Sequence, residues 1–356
     1  APSVTAFTIG IAVSVEAAVT KSFMRYALGL QSRDRLDRIV IDECHLMVTT
    51  TSYRDSMNQL GAAIRAVRTQ TLWMTATLPP AYEAEFETTG YFDRPNMIRF
   101  STVRSNIVYQ LLFCQNSEDK FMSWCVDKYN KKWEKIIGNE KGTGSHSKAI
   151  IYCQKKRDVE TVARLLECPK FTADSGTTEE RDDIIKAWLA DESCPVIAAT
   201  SALGVGFDYP NVRLVMHFGS PRRLTDFAQE SGRAGRNGLL SYSVTITQRR
   251  PADGFSRDER NVDEHDKKAM ALYLSGSHCL KGMLSQYLDK KPMWIWCTEP
   301  STRCSQCKTR QNFGSPRPAW VLFDIANTTA GSINQLSDYV TEDVIQTIGS
   351  TQIAAA

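Results

Sequence analysis

Short apolar runs alternate with segments of helical periodicity along most of the second half of the chain. Apolar runs of about four to eight residues between polar turns are typical of strands buried in a parallel sheet. Strands and helices in this alternating order predict a mostly parallel sheet covered by helices on both faces. The predicted strands are 106–114, 148–153, 196–200, 212–218 and 241–247, and the predicted helices are 117–137, 158–166, 179–189 and 224–231.

The N-terminal part of the chain carries a shorter version of the same pattern. Its predicted strands are 7–15, 38–41 and 71–74, and its predicted helices are 16–30 and 56–67. A further helical pattern covers 267–288, whereas the residues after 310 are rich in Ser, Thr, Gln and Ala and have weak periodicity. We therefore predict four segments, 1–105, 106–250, 251–312 and 313–356, the last of them poorly ordered.

Composition narrows the class of protein without identifying it. Hydrophobic residues make up 42% and charged residues 23% of the 356 residues, as in ordinary globular proteins. No apolar run approaches the roughly 20 residues of a membrane span, and residues 1–19 contain Glu16 and no basic leader, so we expect neither a membrane anchor nor a signal peptide. The net charge of +3 says little about partners, but the basic residues cluster locally. Such clusters suit a polyanion or form solvated faces.

Two acidic residues follow the predicted strand 38–41. Asp42 and Glu43 therefore lie at the carboxyl end of a parallel strand, where open α/β sheets bind ligands. One carboxylate can hold Mg²⁺, which prefers hard oxygen ligands, and the other can orient and deprotonate water. The alternative is an acidic pair that only caps the following helix.

Two arginines three residues apart, Arg233 and Arg236, stand among three glycines directly after the predicted helix 224–231. A guanidinium keeps its charge and offers a planar fork of donors to phosphate oxygens. Glycine lets the backbone come close to a bound group. This segment therefore predicts a phosphate contact.

Four of the ten cysteines fall within a short stretch with the spacing C-x17-C-x6-C-x2-C. Four thiolates from a helix and a loop suit a tetrahedral structural Zn²⁺ site. His278 is an alternative ligand, and free buried cysteines are the alternative to a metal. The other six cysteines are isolated, which suits a reducing compartment. The predicted zinc ligands are Cys279, Cys297, Cys304 and Cys307.

Several ordered motifs resemble those of one enzyme family. Residues 42–45, Asp-Glu-Cys-His, resemble the DExH box of superfamily 2 helicases, and 75–77 resemble their third motif. Residues 204–210 and 229–238 resemble motifs five and six of the RecQ-type DNA helicases in particular. The same holds for residues 104–106 and 150–153. The resemblance covers about residues 10–310.

The resemblance implies a fold and a set of cofactors. It implies the C-terminal part of a first RecA-like lobe in 1–105, a complete second RecA-like lobe in 106–250, and a helical four-cysteine zinc module in 251–312. The implied cofactors are ATP with Mg²⁺ and a structural Zn²⁺. The longer gap between Cys297 and Cys304 departs from the family's usual spacing.

The resemblance also assigns roles to individual residues. It makes Asp42 a Mg²⁺ ligand, Glu43 the residue that activates water, and Arg236 the arginine finger on the γ-phosphate, with Arg233 as a second phosphate contact or a structural salt bridge. It places Gly206, Asp208 and Gln229 at the nucleotide cleft. It assigns backbone contacts with nucleic acid to Gln154, Lys155, Thr200 and Ser201, the last two of which could instead cap a helix.

The implied activity is ATP-dependent 3′-to-5′ DNA unwinding, with single-stranded and forked DNA as partners, no membrane, and a nuclear location in a eukaryote or a cytoplasmic one otherwise. No G-x-x-x-x-G-K-[ST] loop occurs, and the similar residues 142–148 precede a strand instead of a helix. We expect the family's phosphate loop and adenine-reading glutamine upstream of Ala1, and these residues alone to be nearly inactive as an ATPase.

Two further segments depart from the family pattern. The aromatic-rich loop is reduced to 49–54, and 172–176 replace a His-Ala-Gly segment. A non-catalytic DNA-binding remnant is therefore an alternative. An RNA helicase is another, against which the four cysteines argue.

Overall fold

The computed structural model describes residues 10–49, 54–139, 146–204, 208–248, 263–289, 297 and 302–311. The chain forms two compact units, which divide between Arg99 and Phe100. The predicted tail 313–356 lies outside the described residues.

The first unit contains a parallel pair of strands, β1 (Arg38–Ile41) and β2 (Gln70–Trp73), in which Arg38 lies opposite Gln70. The pairing brings the carboxyl ends of the two strands to one edge, as the sequence predicted. Its described helices are α1 (Val15–Ala18), α2 (Lys21–Gln31), α3 (Leu46–Thr49), α4 (Arg54–Val67) and α5 (Glu83–Thr89), with a 3₁₀ turn at Pro80–Tyr82.

Three predictions for this unit were wrong. Residues 10–14 of the predicted strand 7–15 have no regular structure, and 7–9 lie outside the described residues. The predicted helix 16–30 is two helices, because the Thr20 hydroxyl caps the second one by accepting from Phe23 N. The strand 38–41 was predicted to be buried, but only Ile41 is buried and Val40 is 49% exposed.

The second unit is built on a six-stranded parallel sheet with the strand order β3-β8-β7-β4-β6-β5. Each predicted strand of this unit is present to within one residue at either end, and the two-residue strand β5 was missed. The strands are β3 (Ile107–Cys114), β4 (Lys148–Cys153), β5 (Lys170–Phe171), β6 (Val196–Ala199), β7 (Val212–Phe218) and β8 (Ser241–Gln248).

Helices cover both faces of this sheet, which confirms the predicted fold class. On one face Cys125 and Val159 enter the core, and on the other Trp188 and Phe227 do. The helix α8 begins at a capping box in which Thr177 and Glu180 bond each other's backbone amides. The helices are α6 (Glu118–Asn139), α7 (Lys156–Leu166), α8 (Thr178–Ala190) and α9 (Leu224–Ser231).

Three further helices follow: α10 (Asp263–Ser275), α11 (Leu280–Asp289) and α12 (Ser305–Gln311). The single helix predicted over 267–288 is therefore divided, because the chain turns at Gly276 with a φ of +67°. Tyr273 and Leu284 enter the same hydrophobic cluster as the sheet residue Tyr109. The helices that carry the cysteines therefore share a core with the sheet.

Candidate nucleotide and nucleic-acid site

The loop that carries the two arginines lies at the amino end of β7. Gly235 N donates to the carbonyl of Val212, the first residue of that strand, at 2.8 Å. Gly235 has a φ of +65°, and a Cβ there would stand 2.5 Å from Asn106 Nδ2. Both the backbone angle and the close approach require glycine at this position.

Two side chains from the segment before β3 bind the carbonyls of this loop. Arg104 donates through Nη1 to Gly232 O at 3.2 Å and through Nη2 to Gly235 O at 2.5 Å. Asn106 Nδ2 donates to Gly235 O at 2.8 Å and to Leu239 O at 2.9 Å. These bonds fix the loop conformation between the two arginines. Residues 104–106 were predicted from the family resemblance alone, because no local sequence pattern marks them.

Arg233 is buried, with 6% of its surface exposed, and its guanidinium donates to the carbonyl of Gly204. It also lies beside Tyr152, whose pKa is raised by burial and lowered in part by the positive charge of Arg233. Arg233 therefore ties the end of α9 to the 3₁₀ turn at Ser201–Gly204.

Arg236 is exposed and forms an ion pair with Asp208, which precedes β7. Asn237 Nδ2 donates to Asn211 Oδ1 at 3.0 Å, so two successive loop residues contact the segment before the strand. The pair holds the Arg236 guanidinium at the surface, where an incoming phosphate can replace the carboxylate. The predicted cleft residue Gly206 lies outside the described residues, and Gln229 is partly buried on α9.

The four predicted nucleic-acid residues lie together at the carboxyl edge of the sheet. Gln154 and Lys155 follow β4, and Thr200 and Ser201 follow β6. The two strands are neighbours, with Tyr152 opposite Ala199. Gln154, Lys155 and Ser201 are exposed and Thr200 is partly buried. The edge therefore presents polar and basic groups to solvent.

The two sets of second-unit residues thus lie at opposite ends of one sheet. The loop with Arg236 contacts the first residue of β7, whereas Lys155 and Ser201 follow the last residues of their strands. This separation follows from the element order, because the crossover helix α9 between two parallel strands returns the chain to the amino edge of the sheet.

In the first unit the acidic motif contacts the motif at 75–77. Thr75 Oγ1 lies 2.7 Å from His45 Nδ1, and the same nitrogen lies 3.2 Å from Glu43 Oε2. The two motifs follow paired strands, so the sheet brings them together. His45 connects Glu43, whose side chain is 51% exposed, to the end of β2.

The backbone at the acidic pair is unusual. Glu43 has a φ of +50°, a left-handed conformation that non-glycine residues adopt at a cost and mostly at functional sites. Its amide donates to Asp42 Oδ1 at 2.8 Å. The next residue, Cys44, donates its amide to Met74 O at 3.0 Å, and burial raises the pKa of its thiol to about 12. Cys44 is therefore a packing residue with an unreactive thiol.

The four clustered cysteines converge in the second unit. All four are buried, and their sulfurs lie within 4.8 Å of one another. The Cys279–Cys297 sulfur distance is 3.7 Å and the Cys279–Cys304 distance is 3.9 Å. A tetrahedron with metal–sulfur bonds of about 2.3 Å separates its sulfurs by about 3.8 Å. The cluster has the dimensions of a four-thiolate metal site, and the longer gap before Cys304 does not prevent convergence.

Backbone amides point at three of these sulfurs. Gly282 N lies 3.4 Å from Cys279 Sγ, Cys297 N lies 3.2 Å from Cys307 Sγ, and Cys304 N lies 3.3 Å from Cys297 Sγ. Such donors stabilise thiolates and orient them toward a cation. Within the described residues the converging set is the four cysteines, and His278 does not belong to it.

Comparison with known proteins agrees with these features. The helicase conserved C-terminal domain family matches residues 129–238. ATP-dependent helicase SGS1 of Saccharomyces cerevisiae is 29% identical over 313 residues, 80% of this chain and 20% of that protein. RecQ-like DNA helicase BLM of Xenopus laevis is 28% identical over 306 residues, 80% of this chain and 21% of that protein.

A bacterial relative shows the same likeness. ATP-dependent DNA helicase RecQ of Bacillus subtilis is 25% identical over 284 residues, 76% of this chain and 44% of that protein. The chain thus spans between about a fifth and less than half of the length of these three relatives.

The six-stranded parallel sheet of the second unit and the match to the helicase conserved C-terminal domain over residues 129–238 agree with a helicase fold. Over most of its length the chain is similar to RecQ-type DNA helicases. Among the residues that the structure describes, none of the helices combines the length and apolar character that crossing a bilayer requires.

Proposed function

We propose that this chain is part of an ATP-dependent DNA helicase that moves 3′ to 5′ on single-stranded DNA and opens forked duplexes. The arginine loop carries the proposal: Arg104 and Asn106 hold its carbonyls while Arg236 stays at the surface. A loop held by these bonds that presents one exposed guanidinium suits a group that must meet a γ-phosphate as charge develops there.

In this proposal each motif has a chemical role. Asp42 holds Mg²⁺, Glu43 orients the attacking water, and Arg236 exchanges its bond with Asp208 for one with the γ-phosphate. Arg233 positions the loop through Gly204, and Gly206 and Gln229 belong to the nucleotide cleft.

DNA binding is assigned to the carboxyl edge of the second sheet. Lys155 supplies charge, and Gln154, Thr200 and Ser201 supply hydrogen bonds, which fit contacts to phosphates without sequence preference. Binding should therefore weaken steeply as salt rises, because each neutralised phosphate releases counterions.

The cysteine cluster is assigned a structural zinc ion. Four buried thiolates with sulfur separations near 3.8 Å and amide donors fit Zn²⁺, which takes four sulfur ligands without redox change. When bound, the metal would fasten α11 to the segment that begins at Thr302. In a eukaryotic cell we expect the protein in the nucleus.

The experiment is a pair of measurements on the 356-residue polypeptide. We expect it to bind single-stranded oligothymidine with a steep salt dependence, which Lys155→Met reduces, and a flat dependence would contradict the DNA-binding role. Because its sequence contains no G-x-x-x-x-G-K-[ST] loop, we expect ATP hydrolysis only at background rates. DNA-stimulated hydrolysis that Glu43→Gln abolishes would overturn that expectation.

The two alternatives give different results. A non-catalytic DNA-binding remnant would bind DNA but show no change in affinity with ATP and Mg²⁺ when tested within its natural full-length protein. An RNA helicase would prefer single-stranded RNA in direct competition. The cysteine cluster favours the DNA enzyme, since the family resemblance attaches that cluster to RecQ-type DNA helicases.

A further inference from the structure

The helix α6 carries a row of lysines on one face. Lys128, Lys132 and Lys135 are separated by four and three residues, which aligns them along the helix. Two of them lie over aromatic rings: Lys128 Nζ is 4.7 Å from the Trp124 ring centre and Lys132 Nζ is 3.4 Å from that of Tyr242. Cation–aromatic contacts of this kind hold a side chain in place without neutralising its charge.

An open cavity of about 410 Å³ lies beside this row. Its lining includes both Lys132 and Lys135, together with Tyr242, the second residue of β8. The volume is within the range of ligand sites in proteins. Lys308 of α12 adds a further positive charge near Lys132. Two lysines of α6 therefore line the opening, and a third from α12 adds its charge near Lys132.

Lys128 Nζ lies 3.9 Å from Asp127 Oδ2, and the other three lysines lack acidic partners among the described residues. No carboxylate that the structure describes lies within ion-pair distance of Lys132, Lys135 or Lys308, whereas Lys131 on the adjacent face pairs with Asp127 at 2.9 Å. Burial first, and then Lys308 and Lys135, lower the pKa of Lys132 to about 8. Concentrated positive charge without an internal counterion is typical of a surface that binds an anion.

The cavity lies at the opposite edge of the sheet from Gln154 and Thr200. The helix α6 starts after the carboxyl end of β3 and runs back, so Lys132 and Lys135 stand near its amino-edge end. Tyr242 marks the same edge, since it is the second residue of β8. A ligand here does not occupy the proposed DNA contact at the carboxyl edge.

We propose that the lysine row on α6, with Tyr242 and Lys308, binds the phosphodiester backbone of a nucleic-acid strand at a second site on this unit. The row from Lys128 to Lys135 extends about 10 Å along the helix, at 1.5 Å per residue. The row is longer than a single phosphate group, and its first lysine, Lys128, lies outside the lining of the cavity. An extended polyanion therefore fits the row better than a small anion does.

The test compares two double variants by fluorescence anisotropy with labelled oligothymidine across a salt series. Lys132→Met with Lys135→Met removes two charges from the row, and Lys170→Met with Lys186→Met removes two exposed lysines that pair with Glu160 and Asp183. The row variant should reduce the steepness of the plot of log binding constant against log salt concentration by about 1.4, because each lost phosphate contact on a single strand contributes about 0.7. It should also weaken binding roughly tenfold or more near 0.1 M salt. The control should keep the parental slope.

Lysine acetylation read by mass spectrometry locates the strand directly. Oligothymidine should protect Lys132, Lys135 and Lys308 and leave Lys170 and Lys186 reactive. Protection by inorganic pyrophosphate equal to that by oligothymidine would overturn the strand assignment in favour of a small-anion site. Unchanged reactivity together with an unchanged slope in the row variant would overturn the site altogether. Lys155→Met tests the DNA contact at the carboxyl edge separately. A negative result for Lys155→Met would therefore contradict the proposed function without affecting the test of the lysine row.

Discussion

Gly235 shows how a single residue determines the shape of the arginine loop. Its φ is +65° and a Cβ would stand 2.5 Å from Asn106 Nδ2 and 2.9 Å from Ser241 Oγ. We predict that Gly235→Ala costs about 1–3 kcal/mol in the free energy of unfolding, from the strained backbone and the displaced Asn106. Urea denaturation of the purified variant measures this cost.

Gly238→Ala is the matched control for that substitution. Gly238 lies in the same segment with a φ of +81°, but no atom lies within 4 Å of the Cβ position. It should therefore lose only the backbone contribution, about 1 kcal/mol. Equal losses for the two variants would show that contact with Asn106 contributes nothing.

Lys132 gives a prediction about the pH dependence of stability. Burial and two neighbouring lysines lower its pKa to about 8 from an ordinary value near 10.5, so the folded state releases a proton that the unfolded state keeps between those values. The charge of Lys132 therefore lowers the free energy of unfolding at pH 7, and this loss disappears as the pH rises from about 8 to 10.5. Lys132→Met should therefore raise the melting temperature at pH 7, and by less at pH 10.

The exposed Lys131 provides the comparison, because it pairs with Asp127 on the solvent side of the same helix. Lys131→Met should leave the melting temperature nearly unchanged at both pH values. If Lys132→Met raises the melting temperature by the same amount at pH 7 and at pH 10, the charge explanation is contradicted and only a packing effect is left.

At the scale of elements, Asp266 joins α10 to the start of α9. Its carboxylate accepts from Leu224 N at 2.7 Å, Thr225 N at 3.0 Å and Arg223 Nε at 3.2 Å, and its side chain is buried. We predict that Asp266→Asn costs about 1.5–3 kcal/mol, because charged hydrogen bonds at a helix N-terminus are lost. Asp226→Asn, at an exposed position in the first turn of α9, should cost under about 1 kcal/mol.

The urea midpoints of both variants check this prediction, and hydrogen exchange of α9 amides locates the loss. If Asp226→Asn destabilises the protein as much as Asp266→Asn, helix-dipole charge rather than the buried cap determines the stability of α9. The cap matters for the site because α9 leads directly into the arginine loop.

Element prediction from sequence worked best where both faces of an element are buried. The strands β4 and β7 and the helix α9 have the predicted bounds, because their apolar patterns end at polar turns. The prediction was wrong where a helical pattern continued past the end of a helix, at the N-cap residue Thr20 and at the turn residue Gly276. It missed the two-residue strand β5, which is too short for a period to appear.

At the scale of the molecule, the sequence proposed the candidate site residues, and the predicted element order accounts for part of their grouping. The DExH box and the motif at 75–77 follow paired strands, and contact between Thr75 and His45 could be expected from that order. The placement of Lys155 and Arg236 at opposite ends of one sheet could be expected from the predicted elements, since Lys155 follows a strand and Arg236 follows a helix that crosses back to the amino edge. The bond from Arg104 to Gly235 O could not be expected, because it joins segments 131 residues apart.

The cysteine cluster tests whether the last helices and the sheet fold as one body. Cys304 is fully buried in the same cluster as Tyr109 and Leu111 of β3, and Leu111 N donates to Ser305 Oγ at 3.1 Å. Loss of a bound metal should therefore loosen β3 as well as α11 and α12. We predict that Cys304→Ser lowers the zinc content from about one ion per chain to near zero.

The same variant should increase amide exchange in β3 and α11 and lower the urea midpoint, because the sulfurs sit in a core that the sheet shares. Cys194→Ser is the control: Cys194 is half-buried, outside the cluster, and donates only to Val196 O. It should keep both the zinc and the exchange pattern. Full zinc content in Cys304→Ser would contradict the four-thiolate site, whereas zinc loss without faster exchange in β3 would show that the metal stabilises only its own loop. The shared core favours zinc loss together with faster exchange in β3, since Tyr273 and Leu284 belong to the same hydrophobic cluster as Tyr109.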